Sequence, residues 1–358
     1  MNPTQSGFAG RGAVGRAGER VWSPAPRADD RLLILIAVTD TNAPELGDVQ
    51  MHAVRPKQPV VGRVVSTESC LNGRSASFVR HVAIDVSGTP LAGSFRVGQA
   101  FGVIAPGDDA RGKPHAVRLY SLACPSQGED GQGDVVSTTV KRVIDEYTPQ
   151  KDDEDDDAHH LFLGVCSNYL CDLKVGDEVL VTGPAGKRFL LPADPSLHDY
   201  LFIATGTGIA PFYGMVRELL QGPGDPCQSR IELVMGTPYT TDLIYDEFFD
   251  ALAEEFPNFN YHRVISRSDI RREYVDRYIE RNMDEGFRDL LSNPRCLIYM
   301  CGLEGMESGL YRVLARNGLA EGYMDVREPM KLEEHEIWDT KAMKRSVKAG
   351  PRCLVEVY

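Results

Sequence analysis

Near His198 the chain changes its hydrophobic rhythm, and no single sheet accommodates both halves. Upstream, short β-branched runs cover residues 60–66, 78–86, 100–104, 135–143 and 178–182, with Gly and Pro between them and no long helical pattern. That texture predicts a small antiparallel barrel or sandwich, because closely spaced strands joined by turns pair with their neighbours. Downstream, apolar strands at 200–204, 231–235, 261–265 and 296–300 each precede a helical stretch, at 212–220, 244–253, 274–282 and 306–315, and a last strand covers 353–358. Parallel strands need a long crossover, which a helix supplies, so this half predicts a doubly wound parallel sheet. The expected fold has two domains, an antiparallel β-barrel over residues 57–195 followed by an α/β parallel-sheet domain over 196–358. A length of 358 residues suits two cores of that size.

Residues 1–56 are set apart as an extension. The first thirty are rich in Gly, Pro and Arg, including Arg11, Arg16, Arg20 and Arg27, and contain no apolar secretory core, so they read as a disordered arm or as a transit peptide. The longest aliphatic run, residues 32–38, is too short to cross a bilayer. Lys and Arg number 39 against 52 Asp and Glu, and the resulting charge of −13 repels phosphate backbones, which argues against nucleic acid as a partner. Eight scattered cysteines without a CxxC pair predict reduced thiols in an intracellular protein, and their spacing is not that of an iron-sulfur cluster or another metal site. The acidic run Asp152-Asp153-Glu154-Asp155-Asp156-Asp157 lacks the spacing of a calcium loop and reads as solvated surface.

Two stretches carry chemistry. In Ala204-Thr205-Gly206-Thr207-Gly208-Ile209-Ala210-Pro211-Phe212, a strand ends in glycines and a helix opens with proline, so backbone can approach a phosphate at a helix N-terminus. Taken alone, this is equally a tight turn that needs glycine for its geometry. In Arg118-Leu119-Tyr120-Ser121, alternation along a strand puts Arg118 and Tyr120 on one face, a cation for a pyrophosphate beside a ring for a planar cofactor. Taken alone, an Arg and a Tyr on a strand are more often plain surface and core.

Together with Gly164-Val165-Cys166-Ser167-Asn168-Tyr169-Leu170-Cys171-Asp172-Leu173-Lys174, Thr182-Gly183-Pro184-Ala185-Gly186-Lys187, Cys301-Gly302-Leu303-Glu304-Gly305-Met306-Glu307 and the closing Val355-Glu356-Val357-Tyr358, these blocks make the chain similar to the plant-type ferredoxin-NADP reductases over roughly residues 59–358. The resemblance implies an FAD-binding barrel, an NADP(H)-binding second domain, and electron exchange with ferredoxin or flavodoxin. It implies that Arg118, Leu119, Tyr120 and Ser121 hold FAD from one side and Val165, Cys166 and Ser167 from the other, with Thr139 and Lys141 on the next strand. For NADP(H) it implies Thr205, Thr207, Thr237, Pro238, Gly302 and Leu303 along the strand ends, and Ser266, Arg267, Arg272 and Tyr274 at the 2'-phosphate and adenine. The catalytic set it implies is Ser121, Cys301, Glu356 as proton relay, and Tyr358 as a ring that covers the flavin until nicotinamide arrives.

Two positions depart from the family pattern. Asp145 stands where the family has its FAD-adenine-stacking tyrosine, with Tyr147 as a substitute, and Asp276 stands where it has glutamine. A carboxylate opposes a 2'-phosphate while Arg267 and Arg272 favour it, so NADP(H) is expected over NAD(H). An acidic ferredoxin would need a basic surface, for which Arg63, Arg74, Lys187, Arg188 and Lys331 are candidates. The expected protein is a cytoplasmic monomer, or a plastid-stromal one if the extension is a transit peptide. Two alternatives stay open: the reductase component of an oxygenase, such as one epoxidising an aromatic thioester, and a non-catalytic interaction protein, which would have lost Ser121, Cys301 or Tyr358.

Overall fold

Strand alternation builds the first sheet. In the computed structural model, which describes residues 43–71, 73–146, 161–267 and 272–357, the first half forms β1 (Val60–Ser69), β2 (Val79–Asp85), β3 (Ala100–Ile104), β4 (Arg118–Ser121), β5 (Val135–Lys141), the short hairpin β6 (Ile144–Glu146) and β7 (Leu161–Leu163), helix α1 (Val165–Asp172) and β8 (Glu178–Ala185). Six of these strands pair antiparallel in the order β4-β3-β8-β1-β2-β5. The two edge strands meet: Ala123 N–H donates to Ser137 O at 2.9 Å and Thr138 Oγ1 donates to Ser121 O at 2.8 Å, so the sheet curls into a barrel. Val82, Ile84, Phe101, Val103 and Val181 fill it. Helix α1, hidden in a β-rich stretch, buries Cys166, Leu170 and Cys171 on one face and so closes over that core.

The second half forms β9 (Asp199–Thr205), α2 (Ala210–Gln221), β10 (Ile231–Thr237), α3 (Asp246–Glu255), β11 (Phe259–Ile265), α4 (Val275–Arg281), α5 (Phe287–Ser292), β12 (Cys296–Gly302) and α6 (Glu304–Arg316), then β13 (Met324–Val326), α7 (Thr340–Ser346), β14 (Val347–Ala349) and β15 (Cys353–Val357). Five strands pair parallel in the order β11-β10-β9-β12-β15. Every residue of β10 and β12 is buried, as expected of parallel strands covered on both faces. The chain moves outward from β9 to β10 and β11, then returns to the other side of β9 to make β12. That reversal opens a crevice beyond the carboxyl ends of β9 and β12, the usual ligand position in such sheets. The β13–β14 hairpin and α7 are an excursion that the sequence pattern did not separate from the approach to the last strand.

Helix α2 joins the two sheets. Gly214 lies against the barrel so closely that a Cβ there would sit 2.5 Å from Cys124 O. On the next turn the Glu218 carboxylate accepts from Ser126 N–H at 2.6 Å and Ser126 Oγ at 3.0 Å, while Arg217 donates to Glu129 at 2.9 Å. Gly98, at φ +86, approaches Phe189 O beside Met215 on the same seam. Gly214→Ala should therefore lower stability by roughly 1–3 kcal/mol through overpacking, read as a lower denaturation midpoint. An unchanged midpoint would show that the seam yields freely.

Candidate functional site

A cleft of about 740 Å³ opens where the barrel meets the carboxyl ends of β9 and β12. Arg118, Leu119, Tyr120 and Ser121 form one wall, Thr139 and Lys141 the next, and Val165, Cys166 and Ser167 the third. Thr207 and Cys301 close it from the second sheet. Eleven expected site residues thus meet in one space, although the sequence spreads them over nearly two hundred positions. Burial pushes the Tyr120 phenol far up, and it keeps its proton as a neutral group.

The N-terminus of α1 faces this space, and among the described residues no side chain satisfies it. Gly164 precedes the helix, no side chain caps it, and its first turn holds no acidic residue. Its opening N–H groups and dipole therefore favour an anion. Gly164 is tightly fitted: a Cβ would lie 2.5 Å from Ser167 Oγ, whose hydroxyl donates to Gly164 O at 3.1 Å.

On the opposite side, two strand ends interlock through missing side chains. A Cβ on Gly208 would lie 2.2 Å from Cys301 O, and Gly302 adopts φ +136 beside Thr205. Leu303 N–H donates to Thr205 Oγ1 at 2.8 Å, so Thr205, Thr207, Gly302 and Leu303 share one corner. Helix α2 begins there without a side-chain cap or a first-turn acid.

Cys301 and Glu356 are register partners on β12 and β15. Cys301 is only 1% exposed, and burial, reinforced by Glu356, keeps its thiol protonated at neutral pH. It is a small apolar wall and not a thiolate. Burial alone pushes the Glu356 carboxyl up to about 7. Glu356 does not line the cleft; it lines a second cavity of about 550 Å³ with Gly186, Lys187 and Arg188, while its register partner Cys301 faces the cleft.

A separate cluster gathers past the ends of β10 and β11. Ser266 N–H donates to Thr237 O at 2.9 Å and Arg267 N–H to Pro238 O at 3.0 Å, which sets these four residues side by side. The Arg267 guanidinium lies 5.8 Å from the centre of the Tyr239 ring, and a hydrogen bond with that phenol raises its pKa further. Among the described residues Thr237 Oγ1 is buried without a partner, a state that costs about 1–3 kcal/mol and suits a site awaiting a polar ligand. Arg272 is exposed, and Tyr274, 70% exposed at the start of α4, leaves its ring open to solvent. Asp276 packs against Gly309 of α6, where a Cβ would touch its carboxylate.

Tyr358, Tyr147 and the acidic run at 152–157 lie outside the described residues. Sequence reasoning missed Phe162, Val143 and His115 in the cleft wall, and Tyr239 beside Arg267. Phe162 pairs across the β6–β7 hairpin with Asp145, and a legible sign was the apolar Leu161-Phe162-Leu163 following an acidic loop. Arg63, one of the basic candidates, is engaged by Glu178 at 3.2 Å.

Comparison with known proteins agrees with this geometry. Residues 202–311 match the Oxidoreductase NAD-binding domain family. The chain is 34% identical over 302 residues to a ferredoxin–NADP reductase of Synechocystis, covering 83% of this chain and 69% of the relative. It is 34% identical over 299 residues to the chloroplastic leaf-type ferredoxin–NADP reductase of Nicotiana tabacum, covering 82% and 79%. The ferredoxin-NADP+ reductase of Plasmodium falciparum, solved with 2'P-AMP, superposes with a TM-score of 0.63 at 22% identity, over 87% of this chain and all of that one. With two sheets arranged about one cleft and relatives at this identity over most of its length, the chain belongs to the ferredoxin–NADP reductase family of FAD- and NADP(H)-dependent oxidoreductases.

Proposed function

We propose that residues 57–195 hold FAD in the 740 Å³ cleft, that residues 196–358 bring NADP(H) to it, and that the electrons pass to ferredoxin. The observation that carries this reading is the convergence of Arg118, Tyr120, Ser121 and the α1 N-terminus with Thr207 and Cys301, from the other sheet, in a single space. FAD, when bound, accepts an electron pair and releases it one electron at a time. The residues fit it: an uncapped helix N-terminus and the exposed Arg118 suit a pyrophosphate, and the half-buried Tyr120 and apolar Leu119 and Val165 suit flat rings. Phe162, 56% exposed on the same cleft, offers an aromatic face opposite Asp145, where the family has its tyrosine.

Each side chain then has a defined task. Ser121 supplies a hydroxyl donor, Lys141 a cation at the rim, and Cys301 excludes water beside the reacting rings. Glu356, with its carboxyl near 7, takes or gives a proton at Oε without strong bias, which is what a relay at neutral pH requires. Thr205, Thr207, Gly302 and Leu303 present the start of α2 to the nucleotide pyrophosphate, while Thr237 and Pro238 border the next strand end. Ser266, Arg267 and Arg272 receive the 2'-phosphate, and Tyr274 stacks on the adenine. Asp276 is turned toward α6, so it opposes the phosphate less than its position in the sequence suggested. Tyr358, next in the chain after Val357, which pairs with Gly302, carries the gate role.

Lys187 and Arg188, both exposed on the cavity that Glu356 also lines, are the best-placed cations for an acidic ferredoxin or a flavodoxin, with Arg74 and Lys331 further candidates. All eight cysteines are free, which fits a reducing compartment such as the cytoplasm. Among the described residues, no helix is long and apolar enough to cross a membrane.

Three measurements follow. The purified protein should be yellow and bleach on anaerobic addition of NADPH; a colourless preparation that takes up no FAD would refute the reading. Arg267→Ala and Arg272→Ala should each raise the KM for NADPH by about 10- to 100-fold, the worth of a charge-assisted hydrogen bond, and leave NADH turnover unchanged; equal losses with both coenzymes would remove the 2'-phosphate assignment. Because the Glu356 carboxyl is raised from 4.5 to about 7, its contribution to stability is fully present below about 4.5 and is lost as pH rises through 7. Glu356→Gln should therefore flatten that dependence, gain on the order of 3 kcal/mol relative to the parent above pH 7, and remove a step near 7 from the pH–rate profile. A profile unchanged in Glu356→Gln would exclude the relay.

A further inference from the structure

Past the Thr237–Pro238 corner the chain makes a single 3-10 turn (Thr240–Asp242) and reaches Tyr245, which crosses to the other sheet. Its backbone sits at φ +58, ψ 27, the left-handed region that bulky side chains rarely adopt. Such a conformation is kept only where its surroundings require it. Here the surroundings are a ring stack, two short hydrogen bonds and the Cys70 thiol beside the same hydroxyl. The Tyr245 ring lies 4.0 Å from that of Tyr213 at an interplanar angle of 13°. Its hydroxyl is 2.6 Å from Thr139 Oγ1 and 2.7 Å from His81 Nδ1, and Thr139 and His81 face each other across β2 and β5.

The chain of contacts continues. His81 Nε2 is 3.3 Å from Glu129 Oε1, which also accepts from Ser137 Oγ at 2.7 Å, and Glu129 Oε2 accepts from Arg217 of α2 at 2.9 Å. Burial opposes ionisation of Glu129, yet His81, Arg217 and Ser137 together hold its carboxyl at about 2, so it stays charged and paired. Burial drives the Tyr245 phenol the other way, far above its ordinary value, and the hydroxyl remains a neutral donor. One continuous network therefore runs from Thr139, on the wall of the cleft, through Tyr245 and His81 to the helix that seals the two sheets.

We propose that Tyr245 is a positioning residue for the flavin cleft, a role that rests on reading that cleft as the FAD site. A threonine has more than one low-energy side-chain setting, and the bond to Tyr245 selects the one in which Oγ1 is spent on the second sheet. Thr139 then presents a fixed surface to the cofactor instead of a rotating hydroxyl. The same tyrosine follows the Thr237 corner in sequence, so the segment that borders the nucleotide also holds the wall that borders the flavin. The Ser75 hydroxyl on the barrel, hydrogen-bonded to Asp242, ties this segment down at a second point without touching Thr139.

The test is titration of the apoprotein with FAD, read by flavin fluorescence and by visible circular dichroism of the bound form. Tyr245→Phe keeps the ring stack and removes the hydroxyl's bonds to Thr139 and His81 and its contact with Cys70; it should weaken FAD binding about 10-fold and alter the flavin dichroism. Thr139→Val, which leaves the left-handed turn untouched, should act in the same direction, and the double variant should bind no more weakly than the worse single one. Ser75→Ala, which cuts only the second tie, should bind FAD as the parent does. If Tyr245→Phe and Thr139→Val keep the parent's FAD affinity and dichroism and lose only thermal stability, the hydroxyl is structural and the proposal fails. A parent chain that takes up no FAD overturns the cleft reading itself, and this inference with it.

Discussion

Everything at the site depends on how closely helix α2 lies against the barrel. The 3-10 turn that leads into this helix, Gly206–Ile209, forms the corner with Cys301, and the helix's third turn carries Arg217 and Glu218 onto the loop at Ser126 and Glu129. Between them, Gly214 lets backbone meet backbone at Cys124. A helix is a rigid rod, so holding its flank fixes its N-terminus as well. The distance from the barrel wall to the Thr205–Leu303 corner is thereby set by main-chain packing at Gly214 together with the Glu218 and Arg217 side-chain ties.

Electrostatics inside the protein is arranged pair by pair and owes little to the overall charge of −13. Glu129 sits among His81, Arg217 and Ser137, and the buried Glu232 sits among Arg230, His262 and Asn260. Each buried carboxylate is kept charged by partners supplied for that purpose. Among the described residues no cation or hydroxyl is placed on Glu356 in this way, and burial raises its carboxyl where partners lower the other two.

The two sheets were legible in the sequence because burial repeats locally: alternation in β1 and at the start of β8, and the largely apolar, fully buried runs of β10 and β12. The corners were legible for a related reason, since only glycine fits at Gly208 and Gly302. What stayed hidden was set by contacts between distant residues. Nothing near Tyr245 signals that its hydroxyl meets Thr139, more than a hundred positions away, and nothing near Phe162 shows that it lies across from Asp145. The short α1 was masked by neighbouring strands, and the β13–β14 excursion carries no repeated pattern long enough to separate it from loop.

The sealed seam has a bearing on how such chains can evolve by recombination. A barrel and a nucleotide-binding half held by a flexible linker could be traded freely between proteins. Here a foreign second half would need a glycine facing the Cys124 carbonyl, an acid for Ser126 and an arginine for Glu129, all on one helix. Any exchange of one half would have to preserve this boundary, where backbone meets backbone at Gly214 and side chains tie the next turn.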